Sequence, residues 1–428
     1  MLLVLVLFLV FIFMGMPVAF AFGISGIAYF LQQQMPILLT IPVQEVLSNT
    51  QNFLLLAIPL FILAGNLLNE SGITERVLKL ASVLTGHMRA GLAQSNMVLA
   101  ASLGGITSSA IGDAAMLSRM LGPGMVKRYS RGFSAGVIGC SALITTMIPP
   151  GIGLVLYGSI GDVSIGRLFA AGLMPGLLMT IFLMVAVAVQ ARRKGYAPER
   201  KTRASFKEIG TTFIDSIWAF LFPVILIIGL RAGWFTPSEG GAFACVYAVV
   251  VGAVAYREFS WKKLIKSLEN TVVDIGMVML LIALSAIFSH GIIYDRIPQQ
   301  LAELVLGLSH IPWVVMLIMI LFLLLAGTFM DSTVLILMLT SILIPVATSL
   351  GMNLVHFGII MVLTLTLGLL SPPEGAVLYI ICTIFECKMW DFVKEGWVFF
   401  LSIVLVVLLV LFFPDIALWL PNLIFGKG

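Results

Sequence analysis

The chain is 428 residues long, 60% hydrophobic and only 10% charged, with a net charge of +4 and a mean hydropathy of +1.12. A water-soluble domain carries about a quarter charged residues, so this composition excludes a soluble enzyme and makes lipid the main solvent. The basic residues cluster in short loops beside apolar runs and form no exposed groove, which argues against a nucleic-acid partner and leaves them the role of orienting the chain in a membrane.

The first apolar stretch runs from Leu2 to Phe30. It has no basic flank and no small-residue cleavage site before the next apolar run, so it is expected to belong to the mature protein rather than to a signal peptide. Two spans are preferred here, with one long helix as the alternative. Phe53 to Leu68 follows, then an amphipathic stretch after Gly72. Leu92 to Val126 is apolar but interrupted at Gly104 to Ser109, and predicts a hairpin that enters from the cytoplasm and returns there. Phe133 to Ser159 is broken at Pro149 and Pro150, and Leu168 to Val189 is a single crossing. After it, Arg192 to Arg203 (RRKGYAPERKTR) is the densest cationic loop, and short Lys/Arg-rich loops stay in the cytoplasm. Crossings then follow at Ile214 to Leu230, Gly240 to Tyr256 and Val272 to Phe288. Arg257, Lys262, Lys263 and Lys266 return the chain to the cytoplasmic side before the last of these, and Ile292 to His310 is periplasmic. Ile311 to Ser349, interrupted at Gly327 to Ser332, predicts a hairpin from the periplasm. A second proline-broken segment at Pro372 and Pro373 and a final apolar run, Ile403 to Phe413, complete the chain.

The two interrupted regions match at a spacing of about 222 residues: Gly105 with Gly327, Pro123 with Pro345, Pro149-Pro150 with Pro372-Pro373, Tyr157 with Tyr379. Upstream, Pro17 and Phe20 resemble Pro237 and Phe243. One crossing separates the copies, so the second is inserted upside down, and inverted repeats with broken helices are the signature of a secondary transporter. The predicted fold is an all-α polytopic membrane protein built of inverted repeats, with two re-entrant helical hairpins and two broken helices.

Each repeat supplies a hairpin tip rich in Gly and hydroxyl residues, GGITSS and GTFMDS, and a proline-broken helix, ITTMIPPGIG and GLLSPPEGA. Proline removes a backbone donor and forces its predecessor out of the helical region, freeing carbonyls. In lipid this is tolerated only where protein, water or a ligand satisfies them. Carbonyls with Ser and Thr hydroxyls make a hard, nearly neutral oxygen cage suited to Na⁺, and half-helix N-termini attract an anion. Ionisable groups at membrane depth are costly, so Asp113, Asp331 and Glu374 are functional candidates, Asp331 foremost because it sits on a tip. Asp113 and Glu374 could instead cap a half-helix or pair with a cation. Asp274, near a cytoplasmic helix end, reads as structural. Cys140, Cys245, Cys382 and Cys387 lack metal-ligand spacing and read as small core residues. His87, His290, His310 and His356 fall near span ends, which argues against a histidine proton relay.

In their order and spacing, GGITSSAIGDAAM, IPPGIGLVLYG, LAGTFMDSTVLILMLTSILIPVA and SPPEGAVLYI resemble the large membrane (M) subunit, the DctM-like permease, of tripartite ATP-independent periplasmic (TRAP) transporters, over nearly the whole chain. The resemblance implies an ion-transporter-superfamily-like elevator. Residues 1–90 and 211–310 would supply scaffold and arm helices, and 91–160 and 311–390 the moving hairpins and broken helices. A linking span and cytoplasmic loop would occupy 161–210, and a C-terminal span 391–428. It implies one Na⁺ site from Ser108, Ser109, Thr145, Thr146 and Ile148, and another from Gly327, Thr328, Gly368, Ser371 and Ser332. Substrate would lie between the tips, against Thr107, Pro150, Asp331, Pro373 and Glu374, with Asp113 as a further functional carboxylate. It further implies Na⁺-coupled import of an acidic organic solute (a C4-dicarboxylate, a sialic acid or a sugar acid) across the bacterial inner membrane. A small four-helix membrane (Q) subunit and a periplasmic substrate-binding (P) protein would be the partners. The chain departs from the family pattern at Glu374 and at IPPGIG, which leaves the substrate open. A stand-alone dicarboxylate carrier and, from another class, a non-transporting membrane scaffold are the rival readings.

Overall fold

The computed structural model describes residues 2–32, 40–51, 53–104, 109–308, 311–372 and 375–426. Among the described residues the chain forms twenty α-helices. The first half holds α1 (Leu2–Phe13), α2 (Val18–Gln32), α3 (Ile41–Thr50), α4 (Ala57–Glu70), α5 (Ile73–Thr85), α6 (Gly91–Leu103), α7 (Ala110–Val126), α8 (Arg131–Ala142), α9 (Ile152–Gly161) and α10 (Ile165–Arg193). The second holds α11 (Phe206–Ala232), α12 (Pro237–Val250), α13 (Trp261–Tyr294), α14 (Ile297–Leu308), α15 (Pro312–Phe329), α16 (Ser332–Ser349), α17 (Leu354–Gly368), α18 (Ala376–Ile384), α19 (Met389–Phe412) and α20 (Asp415–Phe425).

Local chemistry sets these boundaries. Residues 2–32 divide into two helices because Gly15 takes φ 81° and Pro17 follows it. Ser164, Ser205 and Ser260 each accept a backbone N–H at the start of α10, α11 and α13, satisfying donors that a helix start leaves unpaired. Thr236 and Glu239 form a capping box at α12, with Pro237 in the first turn. The amphipathic α5 is entered through Gly72 at φ 85°, a left-handed turn that other residues adopt only with strain.

At about 1.5 Å per residue, α10, α11, α13 and α19, with 29, 27, 34 and 24 residues, run roughly 36 to 51 Å and exceed the ~30 Å hydrocarbon core of a bilayer. With Pro237–Ala255 and α16 they make, among the described residues, six helical segments long and apolar enough to cross a membrane. Leu177, Ile181, Val185 and Val189 form an exposed stripe down α10 at a spacing of four. An apolar face turned outward along one side of a helix is what lipid, and not water, selects. The chain is a multi-pass membrane protein.

The repeat predicted from motif spacing recurs in the packing. Helix α2 packs on α13, and its counterpart α12 packs on α4; α7 packs on α18, and its counterpart α16 packs on α9. Each repeat thus buries its hairpin against the other repeat's broken helix. One group of helices comprises α1 to α4 with α12 and α13, and the other comprises α6 to α9 with α15 to α18; α4–α9 and α13–α16 contacts join them. Helices α10 and α19 pack on each other, and α19 also on α8.

Two expectations need correction, on the second hairpin and on the cysteines. The second hairpin breaks only at Met330 and Asp331, because the Met330 N–H still bonds to the Ala326 carbonyl at 3.2 Å and α15 continues through Gly327 and Thr328. Tyr157 and Tyr379 match in sequence but not in environment. Tyr157 is buried and donates to the Leu354 carbonyl at 2.8 Å, whereas Tyr379 is exposed. Of the cysteines, Cys140 alone is a core residue; the other three are partly exposed.

The orientation is tested with single cysteines at the exposed positions Ala197 and Gln299, in a background lacking the four native ones. An impermeant thiol reagent on spheroplasts is expected to label Gln299→Cys and spare Ala197→Cys until the membrane is opened. The reverse pattern would overturn this orientation, and labelling of both positions from one side would falsify the inverted topology.

Candidate functional site

A cavity of about 580 Å³ lies where the two helix groups meet. One wall is built from first turns: Ser109 to Asp113 of the first hairpin, Asp331 to Thr333 of the second, and Ile152 and Gly153 after the proline break. The opposite wall is Ile62 to Asn69 of α4 and Asp274 to Leu281 of α13.

Ser109 and Asp331 stand 222 residues apart and do the same job. The Ser109 hydroxyl accepts the Gly112 N–H at 3.2 Å to cap α7, and Asp331 Oδ1 accepts the Thr333 N–H at 2.8 Å to cap α16. Each helix then carries proline at its fourteenth residue, Pro123 and Pro345. Three helix starts, α7, α9 and α16, therefore bring the partial positive ends of their dipoles to one cavity, the arrangement that favours an anionic ligand.

The oxygen donors form two groups. In the first, Thr145 Oγ1 and Thr146 Oγ1 donate to the Ala142 and Leu143 carbonyls at 2.7 and 2.8 Å. Each hydroxyl oxygen keeps lone pairs for a cation. The hairpin leans directly on this turn: a Cβ on Gly104 would lie 2.6 Å from Ile148 Cβ and 3.2 Å from Thr145 Cα. In the second, Gly327 and Gly368 touch backbone to backbone, and a Cβ on Gly368 would lie 2.5 Å from Gly327 Cα. Although Gly327 and Thr328 are helical, they belong to the last turn of α15, whose carbonyls have no acceptor role within the helix itself. The Thr328 hydroxyl donates to the Leu324 carbonyl at 3.0 Å, and the Ser371 hydroxyl to the Leu367 carbonyl at 3.3 Å. Both groups are nearly neutral oxygen sets, matching a hard monovalent cation.

Of the candidate residues, Ser109, Asp113, Thr146, Asp331 and Ser332 share the cavity. Asp113 is buried in the first turn of α7. Thr145, Ile148 and Pro150 are buried behind it, and Gly327, Thr328, Gly368 and Ser371 form the crossing of α15 and α17. Thr107, Ser108, Pro373 and Glu374 lie outside the described residues.

The sequence reading missed four cavity residues. Asp274 is not a helix-end group: it is the fourteenth residue of α13 and faces the cavity. Asn66 Nδ2 donates to Asp274 Oδ2 at 3.3 Å and to Thr271 Oγ1 at 3.0 Å. Asn69 and Thr366 also line the wall. Asparagines three apart in the apolar α4 were the available signal, since a polar side chain on a membrane helix needs a partner.

Residues 5–416 match the family model described as the DctM component of the tripartite ATP-independent periplasmic transporter. The sialic acid TRAP transporter large permease SiaM of Vibrio cholerae is 34% identical over 417 residues, covering 97% of this chain and 96% of that one. The 2,3-diketo-L-gulonate TRAP transporter large permease YiaN of Escherichia coli is 32% identical, covering 94% and 95%. The C4-dicarboxylate TRAP transporter large permease DctM of Rhodobacter capsulatus is 30% identical, covering 96% of each. Among solved structures, the YdaH transporter of Alcanivorax borkumensis superposes with a TM-score of 0.63 over 91% of both chains at 12% identity, a likeness of fold alone.

Proposed function

This chain belongs to the DctM component family of TRAP transporters and is a large permease, not an enzyme; from that premise we propose that it imports an acidic organic solute across the bacterial inner membrane, coupled to Na⁺, by an elevator motion. The observation that carries this reading is the cavity, walled on one side by hairpin tips and broken helices and on the other by α4 and α13. A site held at the boundary between two bodies changes its side of exposure when one slides past the other. Residues 91–160 and 311–390 are the moving part in this reading, 1–90 and 211–310 the scaffold, with 161–210 and 391–428 linking and closing it.

Three converging helix starts fit a carboxylate-bearing substrate, and the two oxygen groups fit Na⁺. The relatives named for sialic acid, a sugar acid and C4-dicarboxylates delimit the substrate class. The family description names a tripartite system with a periplasmic component. A small membrane subunit and a periplasmic binding protein therefore complete the transporter in this proposal.

The test is reconstitution in liposomes with an inward Na⁺ gradient, comparing the chain alone, with the small subunit, and with both partners. The probes are labelled sialic acid, 2,3-diketogulonate and succinate. Uptake of one probe is expected only from the complete assembly, at least tenfold above the lone chain. Robust uptake by the lone chain would instead establish a stand-alone carrier.

A further inference from the structure

We propose that Asp274 is a fixed repulsive wall that speeds release of the carried anion into the cytoplasm, an inference that rests on the import reading above. Asp274 lies on the scaffold and not on the elements that carry the site. It stands about 20 Å along α13 from Trp261, at about 1.5 Å per residue, on the side flanked by Lys262, Lys263 and Lys266. Helix α4 ends on that same side: Lys266 Nζ bonds to Glu70 Oε1 at 2.7 Å and Lys263 Nζ to the Glu70 carbonyl at 3.1 Å. Asp274 and Asn66 therefore occupy the half of the scaffold nearer the basic, cytoplasmic loops.

The partners of this carboxylate matter most. Its hydrogen bond comes from the neutral Asn66 amide, and no Lys or Arg forms an ion pair with it among the described residues. A carboxylate at membrane depth without a cation is costly and is kept where it faces a path for ions or substrate. The opposite wall supplies helix N-termini, which attract an anion. An anion between them is pulled toward the moving part and pushed by the scaffold. Because Asp274 is fixed, the push does not travel with the site. It acts when the site lies against the cytoplasmic half of the scaffold, where it weakens anion binding. A wall of this kind alters rates, and leaves the final accumulation to the Na⁺ gradient.

The local field is read without any substrate. Met277, one turn beyond Asp274 and exposed on the cavity wall, is replaced by cysteine in a background lacking the four native cysteines. Inside-out vesicles are treated with a cationic or an anionic methanethiosulfonate reagent. Asp274→Asn is expected to lower the cationic-to-anionic rate ratio about fivefold, as for removal of a charge within several ångströms in a partly wet site; Asp274→Glu is expected to keep it. Transport is read in parallel in the complete liposome assembly with whichever of sialic acid, 2,3-diketogulonate or succinate the unaltered protein imports. Asp274→Asn is expected to slow net uptake severalfold, with final accumulation unchanged. An unchanged reagent ratio overturns the proposal, as does an altered ratio with unchanged net uptake. A lowered final accumulation also overturns it, since a wall that acts only on rates leaves the end point unchanged. No uptake of any probe by the unaltered assembly removes the import reading, and the proposal with it.

Discussion

Replacing external Na⁺ with choline is expected to reduce initial uptake by the complete assembly to the level of protein-free liposomes. Carrying an anion inward against a negative-inside potential costs about 2.3 kcal/mol per charge per 100 mV. A dicarboxylate at −100 mV carried alone therefore needs about 4.6 kcal/mol before any concentration gradient is built, and the potential drives import only when the co-transported cations outnumber the substrate's negative charges. The donors present suit Na⁺: the Thr145 and Thr146 hydroxyls, and the last-turn carbonyls of α15 at its crossing with α17. Ser332→Ala is expected to raise the Na⁺ concentration needed for half-maximal uptake. Ser109→Ala is expected to do the same and, by removing the α7 cap, to lower stability by about 1 kcal/mol. The measurement is initial uptake against Na⁺ concentration at fixed potential. Equal uptake in choline would rule out Na⁺ coupling.

Gly368→Ala is expected to abolish high-affinity Na⁺ dependence. Its new Cβ would lie 2.5 Å from both Gly327 Cα and Gly327 C, and 2.9 Å from the Gly327 carbonyl oxygen. These are backbone atoms and cannot swing aside, so α15 and α17 must separate by about an ångström. Forced overpacking of this kind costs about 1–3 kcal/mol. The separation also pulls the α15 carbonyls away from Ser371, whose N–H bonds to the Gly368 carbonyl at 2.8 Å. At least a tenfold rise in the Na⁺ requirement is expected, with a lower melting temperature in detergent. Gly276→Ala is the control: a Cβ there meets nothing within 4 Å, and Ala favours a helix over Gly by about 1 kcal/mol. If Gly368→Ala matches the control in both measurements, the crossing is not part of an ion site.

Much of this architecture is written along the chain. Apolar runs long enough to span, Lys/Arg asymmetry and paired breaks at a fixed spacing are local or periodic features, so the membrane class, the repeat and the placing of Ser109 and Asp331 at the two hairpin breaks follow from residue order alone, while their capping role came from the structure. Prolines 123 and 345 keep their register because each lies at a set distance from its own cap.

The other half of the site depends on which faces meet. Asp274 has no motif around it. Its place on the cavity wall arises only because α4 packs along α13 and brings Asn66 within 3.3 Å. Tyr157 and Tyr379 show the same limit from the other side, since equal spacing gave one a buried hydrogen bond and left the other exposed. The amino-acid sequence by itself determined that this chain is a multi-pass membrane protein, because partition into lipid depends on local hydropathy. Only the tertiary structure decided which polar groups face one another, because that depends on the rotation of each helix about its axis, and helix rotation is set by packing against neighbours.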